Sequence, residues 1–212
     1  MKPIVVIKNP DKESHHLDKK EPHLMPSFPS KICIAGRSGS GKSTAALNLI
    51  GRTNPPFERI VVVHGDTETH EYDLCEPELV DSLEGLIWDP NIKNLCVIEE
   101  QNVMSWNRKQ KGDLERFLNY TCSHKSVSAI LVVQNFTSLL PVYRRAMDWW
   151  VIYPSVSMDA VDFITRTTGD NFRELMKMCE NKFNSITWDF SGNGPRLRLD
   201  LFQKIKDDHD DN

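Results

Sequence analysis

Residues 36–44 read GRSGSGKST, with glycines at 36, 39 and 41, a lysine at 42 and hydroxyl side chains at 43 and 44. The spacing is GxxxxGK[ST]; an apolar run, KICIAG (31–36), leads into it and a helix-forming run (43–50) leaves it. The chemistry of such a stretch is polyphosphate binding. Glycines let successive backbone N–H groups curl around phosphate oxygens with no Cβ in the way, and the helix that follows turns its positive end toward the same anion. Gly36, Arg37, Ser38, Gly39, Ser40, Gly41, Lys42, Ser43 and Thr44 are therefore expected to cradle a nucleotide's phosphates. Lys42 would bridge the β- and γ-phosphates, and the Ser43 hydroxyl would ligate Mg²⁺.

A phosphate loop that hydrolyses its ligand needs carboxylates nearby. The run NLCVIEE (94–100) ends in Glu99 and Glu100. Two adjacent carboxylates at the C-terminal end of a buried strand are costly unless an ion site explains them. Glu99 would then accept Mg²⁺-bound waters, and Glu100 would polarise the attacking water. The alternative is a strand emerging into solvent. The apolar run SAILVVQN (128–135) ends in Gln134 and Asn135, amides that could sense the γ-phosphate or simply form the turn after a strand.

The elements that must position these groups alternate along the chain. Short apolar runs at 31–36, 59–65, 94–100, 128–135 and 148–153 predict buried strands, with GLIWD (85–89) as a further short or edge strand. Continuous apolar runs between helices mark parallel strands covered on both faces. Helices are expected over 43–50, over 112–123, from a Ser157 N-cap to Thr168 with Gly169 closing it, and from Asp170 or Asn171 onward. FNSITWDF and RLRLDLF, flanking SGNGP (191–195), predict a C-terminal β-hairpin. The fold class expected is α/β, a mostly parallel central sheet flanked by helices. Residues 1–30, with five prolines and mixed charges, predict an extended arm, 31–206 a phosphate-loop domain, and 207–212 (DDHDDN) a solvated acidic tail.

Composition narrows the function classes. The chain has 212 residues, 39% apolar and 26% charged, as ordinary globular domains do. Its net charge of −4 is carried by the four tail aspartates, so the rest sums to zero. A bulk basic field for nucleic acid is excluded, and any such contact must come from a few placed cations. Five cysteines without a CxxC pair argue against a disulfide framework or zinc cluster and for a reducing compartment. No run approaches a membrane span, and MKPIVVIKNPDK lacks a signal-peptide pattern.

Taken in order, MPSFPSKICIAG, GRSGSGKST, PFERIVVVHGD, LCVIEE and CSHKSVSAILVVQNFTSLLPVYRRAMDWWVIYP resemble the FtsK–HerA superfamily of ring ATPases. Within it, they are most similar to the viral genome-packaging ATPases of poxviruses, giant viruses, virophages and membrane-containing phages. The resemblance spans about residues 25–155, and Gln134 to Arg145 is its most discriminating stretch. It implies a RecA-like core, ATP and Mg²⁺ as ligands, Glu100, Lys42 and Gln134 in catalysis, and Arg144 or Arg145 as an arginine finger reaching a neighbour's γ-phosphate, with Arg144 the better match to the family's arginine. The other reading of the two arginines is a surface basic pair or salt bridge, and Arg166 is a weaker finger candidate. The family usually has Asp where this chain has Glu99, which loosens the division of roles between Glu99 and Glu100.

The resemblance further implies a homo-oligomeric ring, a pentamer or hexamer, acting on viral DNA with capsid or capsid-vertex proteins as partners. Its place would be the host cytoplasm, a viral factory or the virion. Arg108, Lys109 and Lys111, read as a loop beside Trp106, and Lys125 are candidates for DNA phosphates, or else a solvated basic surface. Trp149 and Trp150 are expected to fill core and subunit interface. The 176 residues from 31 to 206 leave no room for a separate DNA-binding domain, which favours function at interfaces between copies. Two other functions fit a phosphate loop: a nucleotide or nucleoside kinase, against which the absence of an Arg-rich lid counts, and a non-hydrolysing, nucleotide-gated virion assembly factor.

Overall fold

A computed structural model describes residues 25–99, 106–192 and 196–205 of the chain. Glu100, the N-terminal arm up to residue 24 and the acidic tail lie outside the described residues. Nine strands among those described form one sheet: β1 (Lys31–Ala35), β2 (Arg59–Val63), β3 (Glu78–Val80), β4 (Asn94–Glu99), β5 (Val127–Val133), β6 (Trp149–Ile152), β7 (Ile186–Asp189), β8 (Leu197–Leu199) and β9 (Gln203–Lys204). Their spatial order is β3-β2-β4-β5-β1-β6-β7-β8-β9. The six from β3 to β6 run parallel, and β7 to β9 are antiparallel additions.

The parallel strands bury consecutive residues, all seven in β5 and all six in β4, so each face needs its own cover. On one face, Ile32, Ile34, Val97 and Val132 pack against Ala45, Ala46 and Leu49 of helix α1 (Lys42–Arg52). On the other, Cys33, Ile98 and Leu131 meet Leu114 of α2 (Arg108–Arg116), Tyr143 of α3 (Pro141–Ala146), Ile164 of α4 (Met158–Thr168) and Phe172 of α5 (Phe172–Met176). Trp149 and Trp150 point to opposite faces, and both belong to this core. Among the described residues no helix is long and apolar enough to cross a membrane.

Several boundaries differ from expectation for identifiable reasons. α2 begins at Arg108 because Asn107 and Gln110 form a reciprocal capping box: Gln110 N donates to Asn107 Oδ1 (2.9 Å) and Asn107 N to Gln110 Oε1 (3.0 Å). Helical turns then continue through a π segment (Phe117–Thr121) to His124. The stretch 85–89 is not a strand. Gly85 has φ +79, which breaks an extended run, and the third parallel neighbour of this edge is instead Glu78–Val80 on β2. The Ser157 cap and the left-handed Gly169 end of α4 stand as the sequence predicts, and β7 and β8 pair antiparallel.

Candidate functional site

Parallel strands deliver their C-terminal ends to one sheet edge. Ala35 lies opposite Val133 and Ile152, and Glu99 opposite Val132. The loop 36–44, the carboxylate of Glu99 and the amide of Gln134 therefore leave the sheet side by side. β5 sits between β1 and β4, so its C-terminal residues separate the loop from the acidic strand end.

The loop is fixed from beneath. Gly36 N donates to Val133 O (3.1 Å), Arg37 N to Ser155 Oγ (3.0 Å), and Tyr153 Oη–H to Gly41 O (3.0 Å). A Cβ on Gly36 would stand 2.7 Å from Tyr153 Cβ and 2.8 Å from Ser40 Oγ, so only glycine lets the loop close over β6. Gly41, at φ 101, is the N-cap of α1. It has no side chain to occupy the first-turn N–H groups, and no acidic residue stands in that turn. A helix end of this kind, with its dipole's positive pole and no side-chain cap, is chemically suited to an anion. Arg37, Ser38 and Gly39 are exposed on the outer curve of the loop. Lys42 is buried, its Nζ folded back to donate to Arg37 O (3.2 Å).

Beside the loop is a hard-oxygen cluster. Ser43 Oγ stands 2.5 Å from Glu99 Oε1 and 2.9 Å from Glu71 Oε2. One hydroxyl proton cannot serve both carboxylates, and a small divalent cation suits the surplus of oxygen lone pairs. Tyr72 Oη–H donates to the other oxygen of Glu99, whose side chain is fully buried. Glu71 and Tyr72, in the loop between β2 and β3, had no signal in the sequence beyond an acidic stretch, HGDTETHEYD, after the second strand. Only the fold brings them to Ser43.

The two amides after β5 separate in role. Gln134 is exposed at the edge between Glu99 and the loop. Asn135 is a turn residue, its Oδ1 accepting from Thr137 N (3.1 Å) and Thr137 Oγ1–H (2.8 Å).

The arginines also separate. Arg144 is 9% exposed, its guanidinium 4.1 Å from the Phe163 ring centroid, and burial lowers its pKa. Arg145, next to it on α3, is exposed. Of the basic candidates, Arg108, Lys109 and Lys111 lie not in a loop but on the first turns of α2. Lys109 pairs with Glu84 (2.5 Å). Lys125 follows the same continuous helical stretch, roughly 25 Å farther along at 1.5 Å per residue, beside the N-terminal end of β5. It does not join the other three.

No protein-family model matches this sequence, and no curated protein sequence does. Solved structures share the fold. The genome packaging NTPase B204 of Sulfolobus turreted icosahedral virus 2 in complex with sulfate matches with a TM-score of 0.63 at 12% identity, covering 86% of this chain and 100% of that one. The same protein in complex with AMPPCP gives 0.59 at 13% identity, with 83% and 98% covered. B204, the DNA-packaging ATPase of Sulfolobus turreted icosahedral virus, gives 0.56 at 13%, with 84% and 98% covered. This chain accordingly has the RecA-like phosphate-loop fold, with a C-terminal hairpin.

Proposed function

We propose that this chain is a nucleoside-triphosphate hydrolase that works as a ring of identical subunits and drives viral DNA into a preformed capsid. The observation that carries the hydrolase reading is the convergence at one sheet edge of an uncapped helix N-terminus, a buried lysine and the Ser43–Glu99 pair. The packaging reading rests on a fold shared over nearly the whole length of a viral packaging NTPase, together with the order of motifs from residue 25 to 155.

In this reading the loop's N–H groups and Lys42 bind the triphosphate and offset charge on the transferring phosphoryl group. Ser43, Glu99 and Glu71 would hold Mg²⁺, which supplies Lewis-acid stabilisation of the phosphate oxygens. Glu100 accepts a proton from the attacking water as its oxygen bonds to the γ-phosphorus and the bond to the β-phosphate oxygen breaks. Gln134 orients that water against the γ-phosphate. Arg145 of the adjacent subunit completes the charge stabilisation, so turnover depends on assembly. Arg108, Lys109 and Lys111 face DNA phosphates in the ring's channel, and capsid or capsid-vertex proteins receive the ring, in the host cytoplasm, a viral factory or the virion.

The test is solution mass together with turnover, each with ATP and DNA present. The expected result is a ring-sized species whose hydrolysis DNA stimulates, and a Glu100→Gln variant slowed by roughly 10²- to 10⁴-fold. A strict monomer without DNA-stimulated turnover would remove the motor reading. Equal low rates in wild type and Glu100→Gln would leave a nucleotide-gated assembly factor.

A further inference from the structure

We infer that Phe183 is the platform on which the nucleobase stacks when the loop 36–44 holds a nucleotide's phosphates. This rests on the phosphate-site reading above and adds the nucleoside half of the site.

Phe183 lies in the turn between α5 and β7 and is 56% exposed. Phe183 N donates to Asn181 Oδ1 (2.8 Å), Asn181 N to Asn184 Oδ1 (3.0 Å), and Asn184 N to Asn181 O (3.2 Å). Asp200 anchors the turn from the hairpin, accepting from Asn184 Nδ2 (2.5 Å) and Ser185 N (2.9 Å). An exposed ring on a tied turn is ordered before any ligand arrives, so little entropy is lost when something packs on it.

Its position names the occupant. A Cβ on Gly41 would be 3.5 Å from Phe183 Cδ1 and 3.6 Å from Tyr153 Oη, so the ring stands directly against the end of the phosphate loop. The γ-phosphate end of a bound nucleotide must lie toward Glu99 and Gln134, on the β4 and β5 side of β1. The nucleoside then leaves on the opposite side, over β6 and β7, where Phe183 is. Lys182 Nζ lies 4.9 Å from the centroid of the ring. A phenyl ring has no donor or acceptor, and every base has a π face, so the platform would accept adenine and guanine alike.

The experiment measures the affinity of full-length protein, with Mg²⁺, for ADP, GDP and inorganic tripolyphosphate, in wild type and in Phe183→Ala, Phe183→Tyr and Lys42→Ala. Phe183→Ala should weaken ADP and GDP about tenfold, within the roughly 5- to 150-fold range of base–aromatic stacking, and leave tripolyphosphate unchanged. Phe183→Tyr should restore both nucleotides. Lys42→Ala should weaken all three ligands. Phe183→Ala binding ADP as wild type does, or losing tripolyphosphate as much as ADP, would overturn the platform while the phosphate site stands. Lys42→Ala binding all three as wild type does would overturn both.

Discussion

Ser43 Oγ, on the first turn of α1, stands 2.5 Å from Glu99 Oε1 at the end of β4, across 56 residues of sequence. Glu71 approaches the same hydroxyl from a third segment. Three oxygens from three elements thus gather around one point, and the contact is possible because β1 and β4 run parallel on either side of β5.

Glu99→Gln keeps the shape of this side chain and removes its charge. The Mg²⁺ concentration needed for half-maximal nucleotide binding should rise by roughly 10- to 100-fold, and Glu71→Gln should shift it in the same direction. A fluorescent nucleotide titrated with Mg²⁺ reads this directly. An unchanged Mg²⁺ requirement in both variants would remove the carboxylates from the metal site.

The two neighbouring arginines should behave differently. Arg145→Ala is expected to lower turnover by about 10³-fold, the scale of an arginine finger, with an unchanged urea midpoint. Mixing it with Lys42→Ala subunits should recover activity, since one partner supplies the intact loop and the other the intact arginine. Arg144→Ala should instead cost about 1–2 kcal/mol of stability, because its stem and guanidinium pack under Phe163. Arg144→Ala folding as stably as wild type would place its guanidinium elsewhere.

The hairpin contains a buried ion pair. Arg198 and Asp189 meet at 2.6 Å with side-chain exposures of 0% and 1%, and the guanidinium also lies 4.2 Å from the centroid of Trp149. Burial lowers the Arg198 pKa, and the Asp189 carboxylate opposes that. Asp189→Ala removes the carboxylate that faces the buried Arg198 guanidinium and should cost about 3–5 kcal/mol in urea unfolding. Pairing Asp189→Leu with Arg198→Met should recover much of that, since no lone charge remains.

All five cysteines are free thiols. Burial pushes Cys75 and Cys179 up to about 11 and Cys122 to about 12, and it raises Cys33 and Cys96 well above the ordinary thiol range. The sign follows from the thiolate being the reactive form: at pH 8 the half-buried Cys75 and Cys179 are almost wholly protonated. Their alkylation should be on the order of a hundredfold slower in native protein than in denaturant, and should accelerate as pH rises toward 11. Rapid native labelling of any of the five at pH 8 would contradict the burial described here.

The local chemistry was readable before any fold. Gly36, Gly39 and Gly41 followed by Lys42 and Ser43 specify a loop that wraps an anion, because backbone freedom and a helix N-terminus are properties of consecutive residues. The same holds for the Ser157 cap, the Gly169 stop, and the apolar runs that became β1, β2, β4, β5 and β6. GLIWD has an apolar strand pattern but forms none, because Gly85 opens it in the left-handed region and Ile87 is exposed rather than packed.

What tertiary structure decided is which distant residues meet. Arg144 and Arg145 are the same residue type at adjacent positions, and only the packing of α3 against Phe163 buries one and exposes the other. Lys125 looks in sequence like a companion of Lys111, yet the helix between them carries it to the other end of the strands. Glu71 and Phe183 carry no motif at all. The sheet gathers loops far apart in sequence onto one edge, parallel β2 leading to Glu71 and antiparallel β7 following Phe183, and no local pattern encodes that meeting.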